Sequence, residues 1–92
     1  MAVSRAERRT EREPRFLSVF GAELTPRALD LLEIVELAWH DCYREVSPSE
    51  TLVDDMLLLS EGSIEGLVAA AYLALQDWRD LKMAAAAQRA SV

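Results

Sequence analysis

This chain has one cysteine, Cys42, and one histidine, His40, and each scarcity closes off a class of function. One thiol cannot form an internal disulfide, which excludes the disulfide framework of small secreted domains. One imidazole cannot build a multi-histidine metal centre, and any acid–base chemistry near neutral pH must run through it. The three glycines, Gly21, Gly62 and Gly66, are too dispersed for a phosphate-cradling loop. Long apolar runs are missing too. The longest, Leu67 to Leu75, is far short of the roughly 20 residues a membrane helix needs. Residues 1–10 are polar and lack the apolar centre of a signal peptide. By elimination, a soluble cytoplasmic protein with no membrane partner is expected.

What the chain does have is apolar content. Hydrophobic residues make up 51% of its 92 positions, too much for a disordered chain and enough for one small core. Domains of this size often gain stability by oligomerising. The richness in Ala, Arg and Leu matches a high-GC bacterial coding bias, which is a statement about composition only. The net charge of −6 is unevenly spread. Residues 1–15 carry five Arg and three Glu, whereas residues 16–80 carry three Arg and thirteen acids. The reading is a disordered charged arm over 1–14 and a strongly acidic body over 15–90. Such a body repels nucleic acid and membrane phosphates and favours basic protein surfaces.

The periodicity is helical throughout the body. Thr25 and Pro26 form a capping and first-turn pair. After them, Ala28, Leu31, Leu32, Val35, Ala38, Trp39, Cys42 and Val46 recur at helix spacing. Ser47-Pro-Ser-Glu50 reads as a capping box that opens a second helix with Leu52, Val53, Met56 and Leu59 inward. Asp54 and Asp55 are placed toward water. Ser60-Glu-Gly-Ser63 is the turn before one long helix, whose end past Leu81 loses its stripe and is expected to fray unless a partner covers it. The expected fold is all-α: a small three-helix bundle with helices at about 26–45, 48–59 and 64–88 and a short N-terminal segment. Leu31, Val35, Trp39, Leu52, Met56, Leu67, Ala71, Leu75 and Trp78 are its expected core.

Few residues invite a chemical reading. Glu33, Glu36 and His40 share one side of the first helix and form the one metal candidate, but the Glu-x-x-x-His spacing is not the Glu-x-x-His of di-iron helical sites. A solvated Glu–His pair is the plainer reading, and no cofactor is expected. Cys42 sits on the core stripe with His40 pointing elsewhere, which leaves it without a base. Helices two and three have the outline of a helix-turn-helix. Yet the exposed side of the third offers Glu65, Ala69, Tyr72 and Gln76, and no basic residue lies between Arg44 and Arg79. The electrostatic sign is wrong for nucleic acid. No catalytic constellation remains, and the chain reads as a non-enzyme.

Leucines off the stripe point to a second buried surface. Leu29, Ile34 and Leu37 lie off it on the first helix, Leu58 on the second and Leu73 on the third. Phe16 and Phe20, at i and i+4, either cap the core from within or anchor the chain in a partner's groove. The small residues Gly66, Ala69, Ala70 and Ala74 suit close approach of another helix. The functional expectation is an acidic helical adaptor, inhibitor or small subunit acting through protein–protein contact. A homodimer is the first partner considered; the alternative is a metal- or ligand-binding protein using Glu33, Glu36 and His40.

Overall fold

Residues 3–91 are described by the computed structural model, and all of their regular structure is helical. Four helices follow one another: α1 (Arg5–Tyr43), α2 (Glu50–Ser60), α3 (Ile64–Gln76) and α4 (Trp78–Ala90). The all-α class stands, but with four helices in place of three and with α1 folded into a hairpin at Gly21.

The stretch expected to be a disordered arm is helical from Arg5 onward; residues 1 and 2 lie outside the described residues. Its start is encoded locally. Ser4 accepts from the Glu7 amide while the Glu7 side chain accepts from the Ser4 amide, a reciprocal capping box. At Gly21 the backbone adopts φ 80° and ψ 169°. Only glycine occupies that region readily; a side-chain-bearing residue there costs of order 1–3 kcal/mol. The bend sets segments 5–20 and 22–43 side by side. Thr25 and Pro26 therefore do not open a helix but lie inside the second segment, where the Thr25 hydroxyl donates back to the Gly21 carbonyl at 2.7 Å.

Helix α2 begins two residues later than expected. Ser49, not Ser47, is its N-cap, accepting from the Leu52 amide. Glu50 is drawn to arginines of α1 and takes no part in a capping box.

The expected long third helix is two helices. Asp77 ends α3 in an extended conformation and caps α4 by accepting from the Arg79 amide. The Tyr43 hydroxyl closes the break from the far side: it donates to the Ala74 carbonyl at 2.6 Å and accepts from the Trp78 amide at 3.2 Å. The break turns α4 back onto α2. Leu81 and Ala85 are fully buried there. Asp55, expected in water, is 4% exposed; it accepts from Lys82 at 3.4 Å and forms an ion pair with Arg89 at 2.8 Å. The expected fraying end is thus held within the chain.

One apolar core joins the elements: Phe16 and Phe20 from the first arm of α1, Leu29, Leu32, Val35 and Trp39 from the second, Leu52, Val53 and Met56 from α2, and Leu67, Ala71 and Ala74 from α3. Leu31 and Leu75 are only half-buried, and Trp78, Cys42 and Val46 are exposed. The buried side of α1 is rotated toward Leu29 and Glu36 because segment 5–20 covers that side.

Candidate interaction surface

Two surfaces of α1 matter, one occupied and one open. The occupied one carries the carboxylates Asp30, Glu33 and Glu36, continued on α2 by Glu50 and Asp54. Segment 5–20 lays a row of arginines along them. Arg9 bonds Asp30 at 2.8 Å and Glu33 at 3.0 Å. Arg5, Arg8 and Arg12 converge on Glu36, at 3.6, 2.5 and 3.0 Å. Arg12 also reaches Glu50 at 2.8 Å, the Ser47 hydroxyl and the Pro48 carbonyl, and Arg15 pairs with Glu50 and Asp54. Arg12 and Glu36 are each 2% exposed, so this is a buried ion pair whose remaining donors and lone pairs find partners. Burial pushes the Glu36 carboxyl upward. Hydrogen bonds from Arg8, Ser47 and Arg12 outweigh it and hold the group below its ordinary value. Glu50 is held low in the same way, burial being outweighed by Arg12 and Arg15.

This network accounts for the metal candidates. Glu36 is taken up by three arginines and Glu33 by Arg9, while His40 is exposed and its nearest carboxylate is Asp41 at 4.0 Å. No group of three or more His, Cys, Asp or Glu side chains is placed to hold a metal ion among the described residues.

The open surface lies where α1 meets α3. Ile34 is 62% exposed, Val68 48% and Tyr72 65%, around a shallow groove of about 170 Å³ floored by Leu31, Val35 and Leu75. Leu37, 56% exposed, extends it along α1. The residues singled out from the sequence divide accordingly. Ile34 and Leu37 are on this face; Phe16, Phe20 and Leu29 are core; Leu58 and Leu73 are half-buried. Phe16 and Phe20 pack against each other within the chain at 5.9 Å between ring centroids. Val68 and Tyr72 escaped the sequence reading as a pair. The α3 run from Leu67 to Leu75 is apolar almost all round, so its periodicity does not say which side is left uncovered. Nor is Gly66 there to admit a partner: an added Cβ would lie 2.2 Å from the Ser60 carbonyl oxygen. Its bareness serves the α2–α3 turn.

A third feature is a cleft of about 480 Å³ between the end of α1 and the start of α4, walled by Trp39, Tyr43, Trp78, Glu45 and Lys82. Trp39 is 1% exposed, its indole N–H donates to Glu45 at 3.1 Å, and its ring packs at a 46° tilt against that of Tyr43, with centroids 4.4 Å apart. Most of this aromatic surface is therefore structural, and only Trp78 stands open.

No protein-family model, curated protein or solved structure matches this chain. No helix among the described residues is long and apolar enough to cross a membrane.

Proposed function

We propose that this protein is a non-enzymatic helical interaction protein whose contact surface is the apolar face of α1 and α3. The observation that carries the reading is the set of Ile34, Val68 and Tyr72, each about half exposed or more, around an almost wholly apolar groove, with the exposed Leu37 one turn along α1 from Ile34. Isolated exposed leucines mean little, but a contiguous patch marks an interaction site. Tyr72 has the composition of an interface anchor, a large rigid ring with a polar tip. Self-association about a two-fold axis is the arrangement expected first, since one face can serve both partners. A standard interface takes about 800 Å² from each side; this patch would form its apolar centre, with Glu65 and Gln76 of α3 toward the rim.

The acidic balance has a different weight from the one composition suggests. Asp30, Glu33, Glu36, Glu50, Asp54 and Asp55 are all paired with basic groups of the same chain. Apolar contact, more than charge, is the main attraction offered to a partner.

Light scattering over a concentration series tests the proposal. The wild-type mass should rise from 10.3 kDa toward twice that value, while Ile34→Glu and Tyr72→Lys stay at 10.3 kDa with unchanged helicity. A wild-type chain that remains at 10.3 kDa into the millimolar range would sink self-association through this face.

A further inference from the structure

The geometry of α1 points to a second interaction: we infer that segment 5–20 exchanges between two copies of the chain, with Gly21 as the hinge. The acidic groove along α1 and α2 already shows what it binds. Its occupant is an Arg-rich amphipathic helix carrying Arg9, Arg12 and Arg15 for the carboxylates and Phe16 and Phe20 for the core. A second copy offers the same helix with the same spacing, so it satisfies the same donors and acceptors.

The connection between the two arms is what makes exchange accessible. No loop separates them. The helix on either side of Gly21 is regular, and that one residue alone departs from helical geometry. Rotating its two dihedrals into the helical region turns α1 into one continuous helix of 39 residues, bent where Pro14 and Pro26 lie inside it, about 58 Å long at 1.5 Å per residue. The Thr25 hydroxyl bond to the Gly21 carbonyl spans four residues and is compatible with a continuous helix, so it does not lock the bend. Straightening also gives the last carbonyls of segment 5–20 helical partners. What the open chain loses is the cover over Leu29, Leu32 and Glu36. Two open chains restore it for each other in a closed two-fold dimer with no new contact required.

Gly21→Ala isolates the hinge. An added Cβ at Gly21 meets nothing within 4 Å, so the substitution acts through the backbone alone. It disfavours the bend and favours the helix. Sedimentation and light scattering should find the dimer dissociation constant lowered roughly thirtyfold or more relative to wild type, the helix preference of Ala over Gly acting at two hinges. Helicity should hold or rise. Adding Ile34→Glu should leave this dimer intact, which separates it from association through the α1–α3 face. Inserting a three-glycine linker after residue 21 should return the chain to monomer by letting each helix close on its own groove. The inference fails if Gly21→Ala is a folded monomer of wild-type thermal stability. It fails equally if the variant is unfolded, because exchange would recover every lost contact. A dimer that Ile34→Glu dissociates, or that the glycine insertion leaves unchanged, also overturns it.

Discussion

Arg12 and Glu36 carry more of the structure than any other charged pair. Both are buried, and Arg12 ties segment 5–20 to the second arm of α1, the α1–α2 connection and α2 at once. Removing one member leaves the other buried with fewer partners, Arg8 and Arg5 for Glu36 and Glu50 for Arg12, whereas removing both relieves part of that cost. Arg12→Ala should therefore lower the unfolding free energy by about 3 kcal/mol. Arg12→Met combined with Glu36→Met should lose less than the sum of the two single changes, as urea unfolding will read. The exposed pairs Arg9–Asp30 and Arg15–Asp54 should each matter by less than about 1 kcal/mol. The same network sets the response to acid. Glu36 and Glu50 are held below their ordinary value of 4.5, so the folded chain binds protons less readily than the unfolded one. Their contribution is complete above that value and is lost as pH falls through the lower folded values. The urea midpoint should fall as pH drops below 4.5, and Glu36→Gln should flatten part of that fall.

At the scale of elements, the connections decide the arrangement. Gly66 lies in the first turn of α3, where its bare α-carbon lets the helix approach the end of α2. Gly66→Ala would gain roughly 1 kcal/mol in helix preference. Against this, a Cβ 2.2 Å from the Ser60 carbonyl oxygen and 2.8 Å from its carbon forces backbone to move. Overpacking of that kind costs up to about 3 kcal/mol, so the net effect should be a loss of roughly 2 kcal/mol. That corresponds to a fall in melting temperature of about 10 °C for a domain of this size, measurable by circular dichroism. The break at Asp77 has the opposite character. It shortens a helix that propensity would continue, and recovers the difference through the Tyr43 hydroxyl, the Asp77 cap and the burial of Leu81 against α2.

At the scale of the whole molecule, most basic side chains are spent on internal ion pairs, and the main attraction left on offer is apolar surface. Added salt should weaken the exposed pairs Arg9–Asp30 and Arg15–Asp54, while the buried Arg12–Glu36 pair, the Phe16 and Phe20 contacts and association through Ile34 and Tyr72 should persist. Light scattering of the wild type at low and high salt separates the two. An apolar face predicts a dimer that persists or tightens at high salt, and a salt-labile dimer would assign the contact to the charged groove instead.

Much of the fold was legible in the residues. The helical class followed from the 3.6-residue period, and the α2–α3 turn from Ser60-Glu-Gly-Ser63. The start of α1 was also there to be read in Ser4 and Glu7, although the mixed charge around them suggested disorder. Part of what periodicity missed follows from what it registers: it follows apolar residues, and here charged ones are buried. Arg12, Glu36 and Asp55 find partners 24 to 38 positions away in sequence, and only the fold brings them together. Ile34 and Leu37 were legible as candidates for contact. Val68 was not, since α3 is apolar on nearly every side, and Tyr72 was legible as exposed but not as part of a contact surface.

The sequence by itself determined that this chain is helical and where two of its connections fall, after the end of α1 and between α2 and α3. Only the tertiary structure decided that the charged N-terminal stretch is a docked helix, that the last helix turns back, and which apolar residues stay uncovered. The reason is physical: helix formation is local, within four residues, whereas burial of a charge or a leucine depends on what distant segment lies against it.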